Sequence, residues 1–315
     1  MRWLPVAEFD ATGLDAYYDP AYLRSVADGA EIWVLVSDEL VLPLVVKPIP
    51  GTALRDAESP YGYAAPLASG PVDWEAVRVA LRTQGVVNAF LRSHPLQPWC
   101  GLPERTSATT AVIPLVPRAQ AFAGGRCANH RSQVSRARGL GFVTTCTPAP
   151  AELGSFRALY ERTMERLAAT SFYRFGDAAW VALAGLGERL ALITVQGATG
   201  QVHNQALFMR GPRFAHYHLS ARSDEAHNAA GNLLFEAAAD WASAHGCESL
   251  HLGGGTSGAA DDSLLRYKQR IGREDATFRT AGLICDPVQH ESLVADWQAR
   301  TGRQPAWFQA YRQPC

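Results

Sequence analysis

A single β-hairpin pattern occurs twice in this chain, about 160 residues apart, and that recurrence restricts the possible folds more than any other feature. Residues 31–36 alternate as a strand, Ser37-Asp38-Glu39 forms a polar turn, and residues 40–46 make a second apolar strand. The pattern returns as a strand over roughly 190–195, the turn Gly197-Ala198-Thr199-Gly200 and a strand over 201–209. After Arg210-Gly211-Pro212 a third strand follows over 213–220. At nearly the same offset, a helix over 72–84 feeds a strand over 86–91, and a helix over 232–245 feeds a strand over 248–252. In the later helix Leu234, Ala237, Ala238, Trp241 and Ala244 share one face, and Gly246 is placed to end it. Hairpins supply antiparallel pairs and strand-helix-strand units supply a parallel pair, so an α+β chain built as two similar halves is expected.

A helix over 151–168 precedes the second hairpin, with Phe156, Leu159, Tyr160, Met164 and Leu167 as its apolar stripe. Between the copies lie a strand over 111–116, a largely helical basic stretch over 121–138 and a strand over 141–145. These end at Pro148-Ala149-Pro150, where the boundary is placed. The expected domains are 1–150 and 151–315, and the segment from about 285 is able to pack back on the first.

With 315 residues, 47% of them hydrophobic and 19% charged, the chain can fill two cores and has no long tract of disordered composition. A formal charge of -1 provides no global field for nucleic acid, so any RNA contact has to come from a local patch. No stretch approaches the roughly 20 apolar residues of a membrane span, and the N-terminus lacks a signal-peptide pattern. A cytoplasmic protein is therefore expected. Cys100, Cys127, Cys146, Cys247, Cys285 and Cys315 show no metal-ligand spacing, so reduced thiols and no bound metal are expected. Lysine occurs only at Lys47 and Lys268, against 27 arginines, which singles out those two positions.

Several residues have the chemistry of a site. Tyr217 alternates with His216 and His218, so the tyrosine faces a cleft if the histidines face the core. The histidines either pack there or, as i and i+2 neighbours, ligate a metal. Asn228-Ala229-Ala230-Gly231-Asn232 directly precedes a helix. Its amides can hold an anion, or it is an ordinary Asn-capped start. Arg126, His130, Arg131, Arg136 and Arg138 form the one basic cluster suited to an RNA backbone, or else a solvated helix face.

Three later segments stand together in the order and spacing of the Fem family. They are His216-Tyr217-His218-Leu219-Ser220, Leu250-His251-Leu252-Gly253-Gly254-Gly255 and Asp262-Ser263-Leu264-Leu265-Arg266-Tyr267-Lys268. Upstream, Ser59-Pro60-Tyr61-Gly62-Tyr63, Asn129-His130-Arg131-Ser132 with Arg136, and Thr163-Met164-Glu165-Arg166 followed by Phe172-Tyr173-Arg174-Phe175 also resemble family segments. The resemblance spans roughly residues 55–272. It implies two GNAT-like (acyl-CoA N-acyltransferase) domains in tandem, each a mixed twisted sheet flanked by helices, here without a coiled-coil arm. It also implies amide formation with aminoacyl-tRNA as co-substrate, bound chiefly by its acceptor end, and no cofactor. The best-known members act on a peptidoglycan precursor. The missing arm is similar to short transferases that complete peptide-nucleoside antibiotics, so either a cell-wall or a peptide-metabolite acceptor is open, with a monomer expected.

Residue by residue, Lys268 matches the lysine at the family's reaction centre, although many members have Phe where Tyr267 stands. Tyr217 would orient donor or acceptor beside it. Arg174, Lys47 and Tyr61 would bind a nucleotide-linked acceptor, Asn228 and Gly231 would line the donor loop, and Arg131, Arg136 and Arg138 would contact tRNA. Only Gly231 remains of the glycines with which coenzyme A enzymes hold pyrophosphate in that loop. An acyl-CoA-dependent N-acyltransferase and a non-catalytic GNAT-derived binding protein are the alternatives.

Overall fold

The computed structural model describes residues 1–170, 173–256, 259 and 261–313. Phe172 and Cys315, named above, lie outside the described residues. The first elements in chain order are β1 (Arg2–Pro5), α1 (Pro20–Ser25), β2 (Glu31–Val36), β3 (Leu40–Pro48), β4 (Arg55–Glu58), β5 (Leu67–Ala68), α2 (Trp74–Arg82), β6 (Val86–Arg92) and β7 (Thr106–Pro114). Next come α3 (Ala128–Gly139), β8 (Val143–Pro148), α4 (Gly154–Arg166), α5 (Asp177–Ala184), β9 (Leu190–Gln196), β10 (Val202–Arg210) and β11 (Phe214–Arg222). The chain closes with α6 (Gly231–Ala244), β12 (Ser249–Gly253), α7 (Ser263–Gln269), β13 (Glu274–Ile284) and α8 (Pro287–Thr301).

These elements form two compact units. One comprises Met1–Asp10, Gly29–Ser107 and the chain from Phe278 onward, and the other comprises Ala11–Asp28 and Ala108–Thr277. Strands in the first unit run in the order β1-β2-β3-β4-β6-β13, with β5 on β3. Its β4 and β6 are parallel and its other pairs antiparallel. The second unit runs β8-β9-β10-β11-β12-β7, with β11 and β12 as its parallel pair. Strand for strand the two orders match, and each is completed by a strand from elsewhere in the chain. β13, which follows β12, pairs with β6, and β7, which follows β6, pairs with β12.

This exchange moves the division away from Pro150, to Ser107/Ala108 and Thr277/Phe278. The physical reason is local pairing. β8 hydrogen-bonds to β9 from Val143 to Pro148, and Val134 and Ala137 of α3 lie in the core that α6 covers. The Pro148-Ala149-Pro150 segment is therefore a bend inside the second unit.

Helix boundaries follow from caps. Asp73 accepts from the amides of Glu75 and Ala76 at the start of α2, and Gly246 at φ +77° follows α6. The helix expected from 121 begins only at Ala128, because Gly124 at φ +84° and its neighbour Gly125 interrupt winding. On α4, Leu167 is exposed and Thr163 is buried in its stead, bonded to the carbonyls of Leu159 and Arg222. The face of α6 is wider than its stripe predicts: Phe235, Ala239 and Ala242 are buried, whereas Ala244 is exposed.

In the first unit the C-terminal segment is held by a buried ion pair. Asp56, 1% exposed, accepts from Arg312 Nε at 2.8 Å and Nη2 at 2.7 Å. Arg312→Ala strands a buried carboxylate and is expected to cost about 3 kcal/mol. In urea the unfolding midpoint falls with little change in slope, and Arg312→Lys, which cannot form the two-pronged pair, recovers only part of it.

Candidate active site

The second unit owes its site to a parting between two parallel strands. β11 and β12 pair only at Phe214↔Ser249, Ala215↔Leu250 and His216↔His251, although β11 continues to Arg222. On its other side β11 slips register against β10, since Leu207 faces Leu219 while Phe208 faces Tyr217, leaving His218 as the extra residue. A bulge of this kind bends the strand and adds twist, which carries Tyr217 and the remainder of β11 away from β12. β12 ends at Gly253, φ +75°, a left-handed conformation that glycine adopts without strain.

Lys268 of α7 fills the opening. It is 8% exposed, donates from Nζ to the Gly254 carbonyl at 2.7 Å, and lies 5.7 Å from the centre of the Tyr217 ring. Asp262 aims α7. Its Oδ1 accepts from the amides of Leu264 and Leu265, and its Oδ2 accepts from the amide and hydroxyl of Thr256. Gly255 permits that approach, since a Cβ there would lie 2.3 Å from Asp262 Cγ. Burial lowers the Lys268 ammonium to about 8, partly opposed by the Asp262 carboxylate. At neutral pH the group remains a cation, held by one neutral acceptor and with donors to spare.

Tyr217 packs its ring 5.4 Å from Phe208 and 5.2 Å from Phe235. Burial pushes its hydroxyl up, only partly countered by a hydrogen bond with Ser220, so it stays protonated. Tyr267, next to Lys268, spans from Phe235 toward the start of α6. Its hydroxyl lies 3.7 Å from where a Cβ of Gly231 would be. Burial pushes this hydroxyl up as well.

The start of α6 is not capped by asparagine. No side chain caps it, and its first turn is wound by Ala230 N to His227 O and Asn232 N to Ala229 O. The Asn228 side chain accepts instead from Arg222 at 2.9 Å, and Asn232 meets buried His130 at 3.0 Å. His216 is fully buried against Asp15 at 3.0 Å, and His251 is 1% exposed. His218 lies 5.5 Å from Tyr22, and burial lowers it to about 3, a neutral ring.

Of the residues expected at a site, Lys268, Tyr217, Gly231 and Asn228 lie in one region of the second unit. Arg174 is exposed and has no partner among the described residues. Arg131 is not a free cation, because it donates to the carbonyls of Phe122 and Gly124 at 2.7 Å each and holds that loop. Arg126 is paired with Asp275 and His130 is buried, so only Arg136 and Arg138 of the basic cluster are exposed without a partner among the described residues.

In the first unit Lys47 is likewise compensated, bonded to Glu58 at 2.6 Å, and Glu58 also binds Arg92 at 2.9 Å. The two cations hold the Glu58 carboxyl below its usual range despite its burial. Tyr61 is half-buried in that unit. The parting equivalent to the one beside Lys268, beyond β4 and β6, is stitched shut there. Ser59 N donates to Phe90 O at 2.8 Å, Arg92 N to Ser59 Oγ at 3.0 Å, and the Arg92 guanidinium to Ser59 O.

Sequence reasoning gave Asp262 and Arg222 no role. The first was readable as an aspartate directly before an apolar helix, the usual N-cap signal, and the second had no signal at all.

A family described as "Acetyltransferase (GNAT) domain" matches residues 125–269. The structure of FemX is similar over 93% of this chain and 99% of its own, with a TM-score of 0.62 at 13% identity. The C-terminal domain (DUF2156) of a putative lysylphosphatidylglycerol synthetase from Agrobacterium fabrum is similar over 86% and 88%, with a TM-score of 0.58 at 14% identity. L-PGS from Bacillus licheniformis is similar over 85% and 88%, with a TM-score of 0.57 at 12% identity. No curated protein sequence matches the chain. The fold is that of the GNAT acyltransferases, α+β and in tandem, and it is Fem-like. No described helix is long and apolar enough to cross a membrane.

Lys268 makes stability depend on pH with a definite sign. Its value of about 8 lies below the ordinary 10.5, so between those limits the unfolded chain binds the extra proton and stability rises with pH. The shift is worth about 3 kcal/mol. Lys268→Met should remove that rise. Urea unfolding of both proteins between pH 7 and 10.5 should show the variant's advantage shrinking by up to this amount.

Proposed function

We propose that this chain is an aminoacyltransferase that forms an amide, moving an amino acid from aminoacyl-tRNA to the amine of a peptide-type acceptor. One observation carries the reading: a buried lysine ammonium, anchored to Gly254 O and aimed by an Asp262-capped helix, beside Tyr217 where β11 leaves β12. Support at the level of fold comes from the likeness to FemX, and support from sequence comes from the Fem-like order of the segments around Tyr217, Gly253 and Lys268.

In the reaction the acceptor amine attacks the ester carbonyl. A carbon–nitrogen bond forms, and negative charge gathers on the carbonyl oxygen. A spare N–H of Lys268 meets that oxyanion in a site where burial strengthens the interaction. The tetrahedral centre then collapses, the carbon–oxygen bond to the terminal ribose breaks, and the proton shed by the amine ends on the ribose hydroxyl. The protonated hydroxyl of Tyr217 orients the reacting groups. The acceptor is a peptide metabolite such as an antibiotic precursor, or a peptidoglycan precursor. Exposed Arg174 suits a phosphate on a nucleotide-linked form of it. We place the enzyme in the cytoplasm as a monomer.

The test is incubation with a pool of charged tRNAs and a bacterial extract as acceptor source, with and without ribonuclease, reading the mass of new amides. A product abolished by ribonuclease is expected, and Lys268→Ala should lower kcat about 10²- to 10³-fold. Because the ammonium is the active form, kcat should fall as pH rises through about 8. Full activity in Lys268→Ala would remove the lysine from the mechanism. The description of the matched family favours one second reading, an acyl-CoA-dependent N-acyltransferase. A product that survives ribonuclease and requires acyl-CoA would establish it.

A further inference from the structure

We propose that the outer edge of β8, with the groove between it and α6, binds an extended peptide of a partner protein as an added antiparallel strand. This docking site lies outside the acyl-transfer reading and stands or falls separately from it.

β8 ends the strand order of the second unit, and all six of its residues are exposed. Ala149 N donates to Leu190 O at 2.9 Å, and the register continues from Pro148↔Ala191 to Val143↔Gln196. Alternate residues of an antiparallel ladder bond to the same neighbour, so Thr147, Thr145 and Val143 are the ones tied to β9. Thr144 and Cys146 therefore turn their N–H and C=O outward, where among the described residues no strand pairs with them. That row of donors and acceptors is what an extended peptide backbone matches. Edges left open in folded proteins are commonly guarded by charge, yet no residue from Gly141 to Ala151 is charged. Val143 is 55% exposed and Leu140 51%, an apolar margin at the start of the strand.

Thr144 and Cys146 also line a cavity of about 660 Å³ whose other wall is α6. Leu233, Ala237, Trp241 and Ala244 stand on that wall at four- and three-residue spacing, about 17 Å from first to last. Six residues of strand cover about the same length. Trp241 is 7% exposed, and its indole N–H is buried with no acceptor among the described residues. β8 and α6 run the same way, because β8 to β11 alternate in direction and α6 returns the chain from β11 to the parallel β12. Phe142 accordingly lies 5.7 Å from His227, each ahead of its element. Arg138, in the last turn of α3, thus stands at the start of the groove, exposed and with no partner among the described residues. Asp240 lies toward the other end, its side chain 70% exposed and sharing Arg118 with Glu236. An antiparallel newcomer meets Asp240 with its N-terminal end and Arg138 with its C-terminal end. The peptide that fits therefore carries a basic residue first and an acidic residue last.

Calorimetric titration of the full chain tests the site with a synthetic peptide as long as β8, capped at both ends, with lysine first, glutamate last and valine alternating with threonine between. A second probe has the lysine and glutamate exchanged. The first should bind about tenfold tighter than the second. Cys146→Pro removes an outward N–H without touching the bonds to β9, and should weaken binding of the first probe about tenfold. Arg138→Glu combined with Asp240→Lys should reverse the preference between the probes, a readout that holds even if the proline disturbs the strand. Absence of binding, or equal binding of the two probes by the parent and by the double variant, overturns the site. Sedimentation of the unliganded chain supplies the remaining outcome: a dimer that Cys146→Pro dissociates would give the edge to a second copy of this chain and overturn the peptide.

Discussion

Among the described residues β11 and β12 are paired at three positions, and the candidate chemistry is built around the place where that pairing stops. Parallel strands that part inside a domain leave backbone groups without their ladder partners, and such groups must be satisfied by something else. Here a lysine reaches in and takes the Gly254 carbonyl. Desolvating that ammonium is unfavourable, which is why its pKa falls, and the loss is tolerated because α7 is pinned at its first turn by Asp262. Strand bulge, glycine bend, capped helix and buried cation are consequently one arrangement, and none of them has an obvious purpose without the others.

The two units show how the same topology can be open or closed beyond its parallel pair. Each has a hairpin, a further strand, a covering helix and a parallel partner in matching order. In the first, Ser59, Glu58 and Arg92 close the space beyond the parallel pair with hydrogen bonds and ion pairs, and Lys47 is consumed by Glu58. In the second, the corresponding space is kept open and lined by aromatic rings and a lysine whose one hydrogen bond among the described residues is to a carbonyl. Duplication with exchange of the last strand also explains why the two compact units meet at β7 and β13 along the chain and not at the most conspicuous turn.

Electrostatics in the second unit are local and not global. A net charge of -1 cannot draw in a polyanion from a distance, and much of the arginine is used to hold loops and ends in place. Arg131 ties a glycine-rich loop, Arg126 meets Asp275, and Arg118 meets Glu236 and Asp240. Arg136, Arg138, Arg162 and Arg174 are exposed and have no partner among the described residues. This is a pattern suited to recognising one end of a substrate and not a long stretch of nucleic acid.

How much was legible in the sequence depends on the range of the interactions involved. Hairpins, the strand-helix-strand units and the duplication were readable because alternation, turn residues and helix stops act over a few positions, as Ser37-Asp38-Glu39 and Gly246 illustrate. Lys268 stood out as a candidate because lysine is rare here and its segment resembles a known family. The exchange of β7 and β13 was not readable, since either strand satisfies the same local pattern and only long-range pairing chooses its neighbour. Nor could the sequence tell which cations are free: Lys47, Arg131 and Arg162 look alike along the chain, and only the fold places a carboxylate or carbonyl beside the first two. The amino-acid sequence by itself determined the elements and the candidate lysine. Tertiary structure alone decided which strands pair, which charges are spent, and where a backbone parting leaves room for chemistry, because each of these depends on groups that are distant in sequence and adjacent only after folding.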